Sequence, residues 1–115
     1  MSFVRVFALG VLFAAGMAHA ETSTGTLLGD AKAGEAKAAV CGACHGAQAQ
    51  GNYALQAPRL AVQDDWYLKR QLENFRLGVR GAHDGDTYGH QMVLMARSLQ
   101  NEQSVNDLLA YLNTL

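Results

Sequence analysis

An all-α domain of three to five helices is what this sequence predicts, on three observations. Apolar residues recur at helical spacing, at Leu68, Leu72 and Phe75 and again at Val105, Leu108, Leu109 and Leu112. Capping residues or acids stand where those stretches begin, and no plausible strand ladder is present. The single proline, Pro58, falls outside the helical stretches, where it interrupts nothing.

The 115 residues divide into three parts. Residues 1–20 read as an export signal, with Arg5 as the positive start, an apolar run from Val6 to Ala15, and a small-x-small site at Ala18-His19-Ala20. The run is short for a retained membrane anchor, so cleavage after Ala20 is the expectation. Residues 21–28 are polar and Thr-rich, an expected flexible tail. Residues 29–115 form the expected domain, too small to bury an ample core without help.

The first helix starts at Gly29-Asp30, with Asp30 as N-cap and an Ala- and Lys-rich stretch from Ala31 to Val40. Gly34 inside it costs about 1 kcal/mol against Ala, a cost expected where another helix passes close by. Gly46 to Ala57 reads as a loop. Asp64 and Asp65 open a second helix from Trp66 to Leu77, stopped by Gly78. Gly81 to Gly89 reads as a further loop, with His83, Asp84, Asp86 and Tyr88. Gln91 to Ser98 is a short helix carrying Met92 and Met95. The last helix runs from about Glu102 to Leu112, capped by Asn101 or Gln100.

The chemistry concentrates at Cys41-Gly42-Ala43-Cys44-His45. A C-x-x-C-H run is the attachment signature of a c-type haem, because both thiols reach vinyl groups while the adjacent imidazole reaches the iron. Three other readings each lack something. These are a half zinc site, a thioredoxin-like redox pair and a structural disulfide: zinc needs four ligands and the chain has no further cysteine, and a redox pair needs a strand-helix setting where the apolar spacing points to helices throughout. One covalently held haem would also supply the apolar volume that so small a core lacks. Without Arg5, eight Lys/Arg stand against ten Asp/Glu, which gives no reason to expect nucleic acid.

These residues resemble the class I c-type cytochromes, and more narrowly one domain of the cytochrome c4 group. The resemblance runs from Gly29 to Leu115. It includes Gly29-Asp30 with Gly34, then Cys41 to Gly46, Pro58-x-Leu60, Tyr67-Leu68-x-x-Gln71-Leu72 followed by Phe75-Arg76-x-Gly78-x-Arg80, and Met92 seven residues before Leu99. It implies a small cytochrome c fold around one haem c held through Cys41 and Cys44. His45 would be the proximal ligand and Met92 the distal one. Pro58 would offer the carbonyl that accepts the Nδ1–H of His45, as axial imidazoles require of a partner. Gly34 and Tyr111 would mark the crossing of the first and last helices. One departure stands out: Val62 occupies a position where related domains often have glycine, so the approach to the second helix is expected to bend differently.

From the residues alone, Met92, Met95, His83 and His90 all stay open as the sixth ligand, since Met92 and Met95 share one helical face. The resemblance favours Met92. A His/Met iron has both axial sites filled, which suits electron transfer over catalysis. The resemblance thus implies a periplasmic, monomeric electron carrier in a respiratory chain, and not an enzyme. Its partners would be redox proteins such as a quinol-oxidising complex, terminal oxidase or reductase, and it would meet the membrane only through such a partner. The alternatives are a haem-based sensor or peroxidase-like enzyme with a labile Met92, or a fixed subunit of a terminal oxidase complex. For a carrier, the exposed edge is expected at Gly42-Ala43 and Val93-Leu94, an uncharged patch; the competing docking face is the basic set Lys69, Arg70, Arg76 and Arg80.

Overall fold

The computed structural model describes residues 29–115. The expected signal and tail lie outside the described residues. Four helices follow one another: α1 (Ala31–His45), α2 (Asp65–Arg76), α3 (Thr87–Ser98) and α4 (Glu102–Leu112). A short 3-10 turn, Tyr53–Leu55, sits in the long connection between α1 and α2. No strand occurs among the described residues, in keeping with the all-α reading, and no described helix is long and apolar enough to cross a membrane.

Helix α1 is set by its ends. The Asp30 carboxylate accepts from the backbone N–H groups of Lys32 and Ala33, two of the donors that a helix start leaves without partners. At the other end the chain turns at Gly46, whose φ of 85° is the region that favours glycine. The helix crosses α4 at Gly34. A Cβ on that residue would run into the backbone carbonyl of Asp107 and the Cβ of Tyr111, so only glycine lets the two axes come this near. Gly29 stands in the same relation to the Asn106 carbonyl.

Asp107 ties the crossing together. Its carboxylate, 6% exposed, accepts from the Asp30 backbone N–H at 2.9 Å, from Gln103 Nε2 at 2.8 Å and from Lys37 Nζ at 2.9 Å. Three donors on one carboxylate favour its ionised form; the Asp30 N–H contributes most, then Gln103 and Lys37, and together they hold its pKa down to about 2. Around it Ala38, Val105, Leu108, Leu109 and Leu112 form the main apolar core, joined by Leu68 from α2 and Leu99.

The α2 stripe behaves as its spacing predicts: Leu68 and Phe75 are buried and Leu72 packs between the main core and a smaller cluster of Phe75, Val93 and Ala96. Helix α3 departs from the sequence reading. It begins at Thr87, not Gln91, because the Asp86 side chain caps the Gly89 N–H at 2.7 Å and converts the end of the expected loop into a helix start. Asn101, rather than Gln100, caps α4 by accepting from Ser104 N at 2.8 Å. Just before α2, Val62 takes a φ of 61°, the left-handed conformation that glycine adopts at little cost and a β-branched residue does not.

Candidate functional site

The loop after α1 folds back on the helix end. Gly51 N–H donates to the His45 carbonyl at 2.7 Å, and the Ala49 carbonyl accepts from Leu60 and Ala61 at 2.9 and 3.1 Å. Gly51, at a φ of 85°, passes so near Arg59 N that a side chain would not fit. This path brings the Pro58 carbonyl to 2.7 Å from His45 Nδ1. A carbonyl only accepts, so Nδ1 carries the proton and Nε2 keeps the free lone pair. His45 is 5% exposed. Its ring is therefore held in one orientation and one tautomer.

A cleft of about 350 Å³ opens beside this imidazole. Cys41, Cys44 and His45 line it from α1, Pro58 from the loop, and Met92 and Met95 from α3. Leu68, Leu72, Phe75, Leu99, Leu108 and Leu112 supply an apolar lining. Such a volume and lining suit a largely apolar cofactor with a few fixed polar contacts. The two cysteines are free thiols, Cys41 half-buried and Cys44 exposed. Burial pushes the Cys41 thiol above its ordinary pKa. The donor set thus fits haem: two thiols, an oriented imidazole and thioether side chains around one apolar cleft.

The remaining candidates are placed differently. Met92 is half-buried against the Phe75 and Val93 cluster, while Met95 is 40% exposed, and both reach the cleft. His83 and His90 are exposed and do not line it. Of the expected uncharged edge, Val93 is in fact buried, because it faces Phe75 across α2 and α3; Leu94, next along the helix, is exposed. The basic set is divided: Lys69 and Arg76 lie at a pocket with Glu73 and Glu102, whereas Arg80 lines the cleft. Lys69 pairs with Glu102 at 2.6 Å, and Arg80 turns to the cleft, its guanidinium 4.7 Å from the centre of the Phe75 ring. Lys37, Gln71 and Asp86 also line the cleft, a place the sequence reading gave to none of them; for Asp86 the available signal was its position three residues before Gly89, where it caps.

Kinship points the same way as the geometry. The family described as Cytochrome c matches residues 31–115. Cytochrome c4 of Stutzerimonas stutzeri is 38% identical over 117 aligned positions, covering 99% of this chain and 51% of that protein. Cytochrome c4 of Azotobacter vinelandii is 42% identical over 100 positions, covering 84% of this chain and 42% of its own length. The chain therefore spans about half the length of these curated relatives. A shorter relative, cytochrome c-554(548) of Halomonas halodenitrificans, is 34% identical over 85 positions, which cover 72% of this chain and 93% of that protein. A cytochrome c domain implies covalently bound haem c, and Cys41 and Cys44 have the spacing it requires. With the fold, the cleft and these relatives in agreement, the chain belongs to the cytochrome c family, and within it is similar to the c4 group.

Proposed function

We propose that the protein is a periplasmic electron carrier of a respiratory chain, holding one haem c through Cys41 and Cys44 with His45 and Met92 as axial ligands. Bound there, haem supplies a one-electron ferric/ferrous couple. The chain's own residues do the rest. Cys41 and Cys44 fix the macrocycle to α1, and His45 presents Nε2 while Pro58 holds Nδ1–H. Met92 offers a soft thioether, which favours the ferrous state and keeps the sixth position filled. The apolar lining from α2, α3 and α4 excludes water and keeps the local dielectric low. With both axial positions taken by His45 and Met92, a haem held there would exchange electrons with little rearrangement, which suits a carrier. Its partners are accordingly redox proteins, a quinol-oxidising complex, terminal oxidase or reductase, met by a monomer that reaches the membrane only through them.

The observation that carries this reading is the 2.7 Å bond from His45 Nδ1 to the Pro58 carbonyl, which orients a buried imidazole at the lip of a cleft shared with Met92. Met92→Ala is expected to abolish the weak iron–thioether charge-transfer band of the oxidised protein and to lower its potential, whereas Met95→Ala leaves the band in place. Optical spectra and a spectroelectrochemical titration of the purified holoprotein decide it. Survival of the band without Met92 would overturn the ligand assignment.

A further inference from the structure

Several large apolar side chains stand exposed without lining the cleft, among them Val62, Trp66, Leu77 and Leu94. Trp66 differs from the others in what it touches. It is the chain's one tryptophan, 65% exposed, and its indole meets the Tyr67 ring edge-on, with centroids 6.0 Å apart and planes at 82°. Edge-to-face contact is a favoured aromatic geometry. Tyr67 in turn lines the cleft, with Leu68, Gln71 and Leu72 of the same helix. Two adjoining rings thus lead from the cleft to solvent. The start of α2 that carries them is fastened, because Tyr67 and Leu68 N–H each donate to the Asp64 carbonyl at 3.0 Å and Asn113 Nδ2 donates to Asp65 Oδ2 at 2.9 Å. Charges of both signs flank the pair. Asp64 and Asp65 precede Trp66, Lys69 and Arg70 follow it, and Lys69 is already paired with Glu102 at 2.6 Å.

Tryptophan is prominent among the few side chains that carry the energy of a protein interface, since it joins a large apolar body to one N–H. Held on Tyr67 beforehand, this indole has little freedom left to lose on contact. Electron tunnelling falls off steeply with distance, so a contact that passes an electron is best made where conjugated side chains span the way from surface to cleft. Resting on the haem reading above, we infer that Trp66 is the docking residue for a redox protein with an apolar contact surface of low charge, and that Tyr67 links that contact to the cleft. One electron passes between the partner and the haem iron, so that one is oxidised as the other is reduced. No bond forms, no proton moves, and neither ring changes its oxidation state. The interleaved charges set the partner's chemistry, because a strongly acidic or strongly basic surface would meet repulsion here as well as attraction. The contact is small, as transient redox encounters are. Leu94 on α3, 64% exposed, is the rival contact.

The test places the holoprotein on gold electrodes coated with a methyl-terminated alkanethiolate monolayer, an apolar surface that stands in for the partner. Voltammetry reads the coverage and the electron-transfer rate, each rate at the variant's own midpoint potential. In Trp66→Ser, half-coverage is expected to need about tenfold more protein, the loss that truncating an interface anchor brings. Trp66→Phe restores most of the binding, and Leu94→Ser matches the wild type. Tyr67→Leu keeps the coverage but slows the transfer several-fold, and Tyr67→Phe, which retains a ring, restores the rate. Equal coverage by wild type and Trp66→Ser, or a loss in Leu94→Ser in its place, would overturn the docking assignment. So would tighter adsorption of the wild type on a carboxylate-terminated monolayer, lost at high salt, because it would mark a basic contact. An unslowed Tyr67→Leu would overturn the link. Should that variant fail to hold haem, Trp66→Leu decides: an apolar contact without a ring is expected to bind yet pass electrons more slowly than Trp66→Phe, and equal rates would overturn the link. A wild type without any redox wave would overturn the haem reading itself, whereas a wave alike in every variant would overturn this inference alone.

Discussion

The cluster centred on the α1–α4 crossing buries nine apolar residues, while the cluster joining α2 to α3 buries three, Phe75, Val93 and Ala96. The first is closed by backbone approaching backbone at Gly29 and Gly34 and by an ionised carboxylate with three donors. The second leaves Leu72 and Met92 half-buried at a cleft, with Tyr67, Tyr88 and Met95 exposed along it. The chain thus has one side closed by helix on helix and one that borders an apolar cleft. A rigid platform carrying the cysteines and the imidazole, facing helices that bring Met92 and Met95 to the same cleft, is what a covalently anchored cofactor needs. The cysteines come from the first side and the thioethers from the second.

The sharpest way to break this contrast is at Gly34. In Gly34→Ala the new methyl meets the Asp107 carbonyl, which is backbone and cannot rotate away, so the helices must separate along their length. A loss of roughly 2–4 kcal/mol is expected from urea unfolding of the holoprotein, at the upper end of what overpacking usually costs. A loss below about 1 kcal/mol would mean that the crossing yields, and the two sides would then differ less than their packing suggests.

How much of this was visible in the sequence follows the range of each contact. Asp30 as N-cap, the Leu68, Leu72 and Phe75 stripe, and the need for glycine at position 34 were legible, because each depends on residues within a turn or two or on a penalty that only a close neighbour explains. The convergence of Cys41, Cys44, His45, Pro58 and Met92 on one cleft was anticipated through motif and resemblance. Asp107 was not, since its partners Asp30 and Lys37 lie 77 and 70 residues away and an acid among leucines reads as the solvated side of a helix. The start of α3 was missed for the opposite reason. Its Gly, Asp and His composition signals a loop, and a single local cap at Asp86 overrides it. Arg80 read as one more surface charge until the fold placed Phe75 beneath it.

A second effect, of intermediate size, concerns pH. Asp107 has a folded pKa held down to about 2, below the ordinary aspartate value of about 3.9. A depressed carboxylate adds stability that is fully present above the unfolded pKa and is lost as pH falls through the folded one. The α1–α4 tie should therefore be intact at neutral pH and weaken between about pH 4 and pH 2. The measurement is the melting temperature of wild type and Asp107→Asn across that interval. The wild type is expected to lose stability on acidification more steeply than the variant, and the two curves should converge at the acid end. Parallel curves would show that Asp107 contributes no proton-linked stability, and the tie would rest on packing alone.

The smallest effect lies at the approach to α2. Val62 sits at a φ of 61° and is 78% exposed, so its side chain contributes little burial while its backbone occupies a region that β-branched residues avoid. Holding a non-glycine residue there costs about 1–2 kcal/mol, whereas glycine forfeits about 0.5–1 kcal/mol through its freer unfolded chain. Val62→Gly should accordingly gain roughly 0.5 kcal/mol, read as a higher urea midpoint at unchanged slope. The difference between cost and forfeit fixes the sign, and Val62→Ala checks it: alanine keeps a Cβ but loses the branching, so its midpoint should fall between wild type and glycine. The gain should belong to the fold and leave the haem optical spectrum unchanged, because Val62 does not line the cleft. A lower midpoint in Val62→Gly would show that the bend before α2 is held at no cost by the neighbouring Ala61 and Gln63, and the strain argument would fail at that residue.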